Sequence, residues 1–353
     1  MFPTFSLTLM VNHACNLRCT YCYTGEKLRR PMSDETAVAA IDRAVRSVEP
    51  AGRLELGFFG GEPLLEAESI LEWVETARVG CDRQRIDLLL HLTTNGTMVG
   101  PSALRVMELP AMRLSVSHDG LPDIHDRHRR SLEGHGSSAS VLQLMQRLTD
   151  DGRDFNVVMV VRPDTVARLA EGMDFLRSRG VRQLTPSLDL WNVWSRDDAA
   201  QLEQAVIDCA DLWRQHWPDL SIGWFDEKAA RVSGIPLSET ARCTFGNGQI
   251  AVSPAGYLYP CERLIGEDRP DNPMRLPGHV LRGPDYCGQS AFPSRSDAEC
   301  DTCVLREVCG TSCRCSNFVR TGDVTKPDGL LCWLETLCFR ETTRALNSWP
   351  LEQ

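Results

Sequence analysis

The sequence predicts a parallel α/β domain followed by a smaller cysteine-rich region. Three observations carry this expectation. Short apolar runs alternate with amphipathic stretches up to about residue 240, glycine-rich or polar segments follow the runs, and most of the 15 cysteines lie beyond that point. A chain of 353 residues is comfortable for two domains, and 42% hydrophobic content is enough for a sizeable core. No apolar run approaches the roughly 18–20 residues of a membrane-spanning helix. The N-terminus starts on a strand-like segment without a basic region, so no signal peptide is read and a cytoplasmic protein with no membrane partner is expected. A net charge of −10 with signs intermixed argues against a nucleic-acid partner, and the short basic run 127–130 reads as a solvated face.

The expected strands are Phe5–Val11, Leu54–Phe59, Ile86–Leu92, Met112–Val116, Phe155–Val161 and Val181–Leu188. Between and after them, helices are expected over Asp34–Val48, Leu65–Val79, Ala103–Leu109, Ser140–Leu148, Thr165–Arg179 and Asp197–Trp213. Ser33 is the expected N-cap of the first helix and Asp164 of the fifth. Six such βα units fit an incomplete (β/α)6 barrel, and they fit a doubly wound open sheet equally well. In either architecture ligands collect at the C-terminal ends of the strands.

Chemistry-bearing residues fall at those ends. Strand one is followed by Cys15-x3-Cys19-x2-Cys22, with Tyr21 and Tyr23 beside the thiols. Three thiolates on one tight loop leave one iron of a [4Fe–4S] cube without a protein ligand, and the same spacing suits a three-cysteine zinc knuckle. Strand two ends in Gly60–Gly61–Glu62–Pro63, where paired glycines let backbone approach a ligand, or form a tight turn. Thr93–Thr94–Asn95–Gly96–Thr97 ends strand three, with polar groups for a ribose or for an Asx turn. Strand four ends in Ser115–Val116–Ser117–His118–Asp119–Gly120, followed by His125–Asp126–Arg127–His128–Arg129. The three histidines are read as a capped, solvated turn rather than as metal ligands. Arg162 closes strand five at the same end, and the tryptophans at 191, 194, 213, 217 and 224 are read chiefly as packing residues.

From residue 243 the composition changes. Cys243 is followed by Gly256 and Cys261, then by a Pro/Gly/Asp-rich connection over 266–283, then by Cys300-x2-Cys303-x5-Cys309-x3-Cys313 and by Cys332. An odd number of cysteines, no export signal and metal-ligand spacing favour iron–sulfur clusters or zinc over disulfides. Cys81, Cys209 and Cys338 fall outside the pattern and are read as buried apolar thiols.

The cysteine loop, the Gly60–Pro63 stretch and the Ser117–Arg129 run together resemble the radical S-adenosylmethionine (radical SAM) superfamily, in particular its sulfatase-maturase-like members. Seven downstream cysteines with Gly256 in place resemble the SPASM domain. The resemblance implies a partial (β/α)6 TIM-like barrel over about residues 1–240, a SPASM domain over 241–340 and a tail over 341–353. It implies a [4Fe–4S] cluster on Cys15, Cys19 and Cys22 that binds SAM. SAM contacts would come from Tyr21, Gly60, Gly61, Glu62, Pro63, Thr94, Asn95, Ser117 and Arg129. Two auxiliary [4Fe–4S] clusters are implied, an outer one on Cys300, Cys303, Cys309 and Cys332 and an inner one on Cys243, Cys261 and Cys313. A further inner ligand of the maturases is replaced by Gln249, which leaves that iron to Cys287, Cys315, solvent or substrate. Glu262 stands where the maturases carry an aspartate thought to deprotonate substrate. Its bland alternative is a turn cap or a partner for Arg263 or Arg269.

The function expected is a radical SAM oxidoreductase acting on a side chain of a peptide or protein, a maturase of peptide biosynthesis giving an oxidised or cross-linked product. Two alternatives stay open at this stage: a dehydrogenase or epimerase of a sugar or aminocyclitol, and a non-enzymatic zinc or iron–sulfur scaffold. The partners implied are the substrate peptide and a flavodoxin- or ferredoxin-type electron donor. Because the chain opens on its first strand, a leader peptide is expected to need a separate binding protein or none.

Overall fold

The computed structural model describes residues 1–235, 243–289, 292, 298–306, 309 and 313–347. The strands are β1 (Phe2–Asn12), β2 (Val48–Gly60), β3 (Asp87–Thr94), β4 (Met112–Ser117), β5 (Phe155–Val161), β6 (Gln183–Leu188), β7 (Ser221–Ile222), β8 (Gln249–Val252) and β9 (Leu258–Tyr259). The helices are α1 (Asp34–Ser47), α2 (Ala67–Gln84), α3 (Pro101–Met107), α4 (Pro122–His128), α5 (Ser138–Asp150), α6 (Leu169–Arg177), α7 (Arg196–His216), α8 (Asp226–Val232), α9 (Ala298–Asp301), α10 (Arg314–Thr321) and α11 (Gly329–Asn347). Among the described residues no helix is long and apolar enough to cross a membrane.

Two compact units divide the chain. The first comprises Met1–Val116, Arg129–His135 and Cys243–Pro293. Its strands run in the order β4-β3-β2-β1-β8-β9, parallel from β4 to β8, with β9 returning antiparallel. Alternation along β1 buries Phe5, Leu7 and Leu9, and along β2 it buries Leu54, Leu56 and Phe58, against the apolar face of α1 formed by Ala37, Ala40, Ile41 and Ala44. Ser33 caps α1 as expected, its hydroxyl accepting from the Thr36 amide at 3.2 Å. The early part of the cysteine-rich region belongs to this unit, since β8 pairs with β1 in the register Ser6 to Gln249. The 240/241 boundary expected from sequence lies outside the described residues.

A buried arginine fastens that region to α1. The Arg43 guanidinium donates to the carbonyls of His279 (3.0 Å), Val280 (3.1 Å) and Asp285 (2.7 Å) and lies 4.2 Å over the Tyr286 ring. Five donors in a rigid fork suit this role, which binds three carbonyls without a carboxylate.

The second unit comprises Ser117–His128, Gly136–Arg242 and Ser294–Gln353. Parallel strands β5-β6-β7 carry Val157, Met159 and Val161 inward. Helix α7 opens with a capping box between Ser195 and Asp198. Its Trp213 is fully buried and donates to Asp226 at 2.9 Å. Helix α11 packs on α7 and α8 and is pinned by a largely buried Lys228–Glu335 pair at 3.1 Å. It runs through the expected 340/341 boundary to Asn347, with Glu341 buried beneath Arg340 and Arg344, so residues 341–347 are its last turns; residues 348–353 lie outside the described residues. Cys81, Cys209 and Cys338 are buried, as expected for apolar thiols.

Three local expectations are corrected. Asp164 does not cap the fifth helix, because its carboxylate is held by His128 and Arg162 and the helix begins after a short 3-10 turn, Val166–Arg168. Trp191 and Trp217 are not buried in the core, being 48% and 53% exposed. His118, His125 and His128 are buried rather than solvated.

Arg43→Met keeps the apolar stem but leaves three carbonyls without their charged donor, at a cost of roughly 2 kcal/mol or more. Because residues 279–286 open locally, amide hydrogen exchange there should quicken about 30-fold while β2 and β3 exchange at the wild-type rate. Unchanged exchange over 279–286 would show that the strap is held by other contacts.

Candidate active site

The C-terminal ends of β1, β2 and β3 are laced together in the first unit. Asn12 and Gly60 stand opposite each other in the β1–β2 ladder. Beyond it, the Gly61 amide donates to the Asn12 carbonyl (3.0 Å) and the Glu62 amide to the Ala14 carbonyl (2.9 Å). Gly60 has φ +145°, and a Cβ there would lie 2.5 Å from the Asn12 oxygen. A Cβ on Gly61 would lie 2.0 Å from the Ala14 oxygen. Both glycines are therefore demanded by the backbone of the cysteine loop itself, whatever ligand they also approach.

Glu62 is completely buried. One carboxylate oxygen accepts from the Leu64 amide (3.1 Å) and the Thr94 hydroxyl (2.8 Å), and the other from the Asn95 amide (2.7 Å). Burial pushes its carboxyl up to about 7, against the pull of those three donors. Its side chain is a brace between strand ends. Pro63 opens the short 3-10 turn that follows.

Asn95 extends the brace to the thiols, donating to Asn16 Oδ1 (2.9 Å) and to Cys15 Sγ (3.7 Å). Asn16 in turn donates to Thr97 (2.7 Å). The polar groups of Thr94 and Asn95, read from sequence as ribose contacts, thus also build the wall behind Cys15. On the other flank the Arg18 amide donates to the Arg130 carbonyl (2.7 Å), and the Arg129 guanidinium lies 5.3 Å from the centre of the Tyr21 ring. Arg129 and Tyr21 are thereby brought to the same loop.

The thiols of this loop differ in their surroundings. Burial raises the pKa of Cys15, only partly offset by the Leu17 amide at 3.3 Å. Burial also opposes ionisation of Cys22, yet the Lys27 charge and hydrogen bonds from Lys27 and Thr24 bring its pKa below the ordinary value. Cys22 is among the groups whose charge acts on Cys15, which places these two sulfurs close together. The Cys22 amide closes a turn onto the Cys19 carbonyl at 3.2 Å.

The loop also meets the segment that carries Cys261. Tyr23 stacks on Phe59 with 6.4 Å between centroids. Burial raises its phenol pKa, and the groups acting on it include Arg263, Glu262 and Cys261 as well as Cys22. The Glu26 amide donates to Glu267 at 3.3 Å. Glu262 begins a 3-10 turn after Cys261, whose thiol lies 3.6 Å from its carboxylate. Arg269 pairs with Glu267, which removes one bland partner expected for Glu262. Gln249 sits between the two inner cysteines of this unit, accepting from Cys243 (3.6 Å) and donating to the carbonyl beside Cys261 (3.5 Å).

The remaining candidates, apart from Cys287 of the first unit, lie in the second unit. Ser117 ends β4 and is buried. The turn after it is fastened by the His118 amide to Val158 (3.1 Å) and by Asp119 accepting from the Val160 amide (3.0 Å). His118 and His125 stack with centroids 4.1 Å apart. Each accepts a backbone amide at Nδ1 and reaches a serine hydroxyl, Ser138 or Ser137, through Nε2. That pattern fixes both rings as neutral Nε2–H tautomers and makes them supports of the turn. Arg162 is committed to Asp164 and Asp189. Burial, with the charges of Cys300, Cys309 and Cys303, pushes the Cys332 thiol up to about 11, so these four thiols share one neighbourhood. Cys315 Sγ lies 3.2 Å from Cys313 Sγ, and Cys287 is exposed. Among the described residues no set of three or more His, Cys, Asp or Glu side chains is arranged to hold a single metal ion.

Sequence reasoning missed Asn12, Asn16 and Lys27. Asn16 sits inside the cysteine motif and Asn12 ends the strand that leads into it, so both were legible as loop-bracing residues, whereas nothing in the spacing marks Lys27.

Residues 9–176 match the Radical SAM superfamily. The chain is 26% identical over 342 residues to a serine-type anaerobic sulfatase-maturating enzyme of Klebsiella aerogenes, covering 88% of this chain and 80% of the relative. It is 23% identical over 281 residues to the cysteine-type enzyme of Clostridium novyi (strain NT), covering 74% of each. The solved structure of native anSMEcpe with bound AdoMet and the Kp18Cys peptide superposes with a TM-score of 0.79 at 20% identity, over 97% of this chain and 98% of that one, and shows the same fold. SuiB of Streptococcus suis bound to its precursor peptide SuiA gives 0.60 at 15% identity, over 93% of this chain and 76% of that one. The motif matches, the superfamily match and the relatives point the same way: residues 9–176 carry the Radical SAM match, and over most of its length the chain is similar to sulfatase-maturating enzymes, with a cysteine-rich region following the matched segment.

Proposed function

We propose that this enzyme cleaves SAM reductively and directs the resulting radical at a side chain of a peptide or protein, leaving an oxidised or cross-linked product. The observation that supports the proposal is the lacing of the backbone that bears Cys15, Cys19 and Cys22 to Gly60–Glu62 and Thr94–Asn95 at the strand ends. The residues fit the group. When bound, a [4Fe–4S] cluster on Cys15, Cys19 and Cys22 with SAM on its open iron supplies a 5′-deoxyadenosyl radical. Gly60 and Gly61 keep side chains off the shelf for the methionine moiety, and Tyr21, Pro63, Thr94, Asn95, Ser117 and Arg129 are the further SAM contacts proposed. A peptide substrate is supported by the maturase and SuiB structures, both of relatives solved with peptides.

Cys300, Cys303, Cys309 and Cys332 are assigned to the outer auxiliary cluster, consistent with their shared neighbourhood. Cys243, Cys261 and Cys313 are assigned to the inner one. Gln249 at the place of a maturase ligand leaves a position there, and the closeness of Cys315 to Cys313 supports Cys315 over Cys287 for it. Glu262 is the proposed base, because loss of a proton beside an electron-accepting cluster completes an oxidation begun by hydrogen abstraction. Its nearness to Tyr23 of the first loop supports that assignment. Electrons would come from a flavodoxin- or ferredoxin-type donor in the cytoplasm. Anaerobic incubation with SAM, dithionite and a short peptide encoded beside the gene, followed by product mass, tests the reading. A mass change in a sugar or aminocyclitol but in no peptide would reverse it.

Replacing Cys15, Cys19 and Cys22 together by Ala should abolish 5′-deoxyadenosine formation and remove one cluster's iron, with the auxiliary clusters kept. Reductive SAM cleavage by that variant would refute the assignment of the loop.

Gly61→Ala should also lose the first cluster, because its Cβ would meet the Ala14 carbonyl of the cysteine loop at 2.0 Å. A variant with full iron content and weakened SAM binding would instead place the demand for glycine on the ligand side.

Glu262→Gln retains shape but accepts no proton at neutral pH. It should form 5′-deoxyadenosine at the wild-type rate and make at least 100-fold less product. Wild-type product yield at full cluster content would exclude Glu262 as the base.

A further inference from the structure

The sulfurs of the first cysteine loop are offered different donors. Cys15 Sγ is approached by neutral ones, the Leu17 amide at 3.3 Å and Asn95 Nδ2 at 3.7 Å. Cys22 Sγ is approached by the Lys27 ammonium at 2.8 Å and lies 3.3 Å from the Thr24 hydroxyl. Thr24 is buried and hydrogen-bonds Lys27 as well, so the ammonium is fixed at two points. Among the described residues Lys27 forms no ion pair with a carboxylate, although the chain is acidic overall, with a net charge of −10. A surface lysine spent on a sulfur rather than on a carboxylate points to a role toward whatever that sulfur holds.

We infer that Lys27 tunes the first cluster, raising its reduction potential by holding a cationic N–H donor against the Cys22 sulfur. The inference rests on the proposed assignment of Cys15, Cys19 and Cys22 to that cluster. Iron–sulfur potentials are set by net charge, by hydrogen bonds to the sulfurs and by exposure. Reduction brings in one electron from a one-electron donor and breaks no bond, so the site gains one negative charge. A fixed ammonium at hydrogen-bond distance stabilises that extra charge more than the oxidised form, whereas the neutral donors at Cys15 do so more weakly. Lys27 is half-buried, so solvent screens part of the effect without removing it. The consequence is functional: the cationic donor brings a strongly reducing centre within reach of a soluble electron carrier.

The test is an EPR-monitored redox titration of the anaerobically purified, three-cluster enzyme with dithionite. The first-cluster signal is identified as the one missing from the Cys15/Cys19/Cys22→Ala variant. Lys27→Met matches the length of the side chain without charge or donor. It should shift the reduced-to-oxidised ratio at a fixed potential at least tenfold toward oxidised, 59 mV for a one-electron couple. Lys27→Arg retains charge and donors and should stay within threefold of wild type. A Lys27→Met midpoint within threefold of wild type, with the first-cluster signal present, would overturn the inference and leave the cluster assignment standing. Identical signals and iron content in the triple-alanine variant would overturn the assignment, and the inference with it.

Discussion

Everything at this site depends on one buried carboxylate. Glu62 leaves β2, turns inward and receives the Leu64 amide together with the Thr94 hydroxyl at the end of β3 and the Asn95 amide just beyond it. A carboxylate so enclosed costs several kcal/mol of desolvation unless its oxygens are satisfied, so the ends of β2 and β3 must stay together for the site to exist. The cysteine loop is then fixed from both sides. Its backbone takes the Gly61 and Glu62 amides, and its first sulfur faces Asn95. Pre-organisation of this kind places ligands before any cofactor arrives, and the entropy of ordering the loop is met in folding.

The second consequence is a division of labour among strand ends. In the first unit the loop after Cys22 meets the segment after Cys261 through Tyr23 and Glu26, so the proposed base and the Cys15–Cys22 loop share one wall. That wall is reached because β8 adds to the β1 edge of the same sheet and Arg43 straps residues 279–285 to α1. In the second unit the turn bearing Ser117 is braced by the stacked rings of His118 and His125, each held by a serine hydroxyl.

Much of this was legible in the sequence. Short apolar runs located β1, β3, β4, β5 and β6 to within a few residues, and Ser33 announced its helix, because these signals are local. The motifs at strand ends were legible for the same reason. What escaped was non-local. Glu62 reads from sequence as a ligand contact, and only the fold shows that it also braces the strand ends by accepting from Thr94 and Asn95. His118 and His125 look like polar turn residues until Ser137 and Ser138 arrive from α5. Asp164 has the chemistry of an N-cap but is claimed by His128 and Arg162. Strand β8 was hidden because its four residues gain meaning only from their pairing with β1.

The central claim is that this laced loop generates a radical which takes hydrogen from a peptide. The most direct measurement is deuterium transfer, with the enzyme incubated anaerobically with SAM, dithionite and a perdeuterated form of the gene-adjacent peptide. The account predicts 5′-deoxyadenosine carrying one deuterium, formed together with a peptide of changed mass. Abundant 5′-deoxyadenosine without deuterium, beside an unaltered peptide, would contradict it.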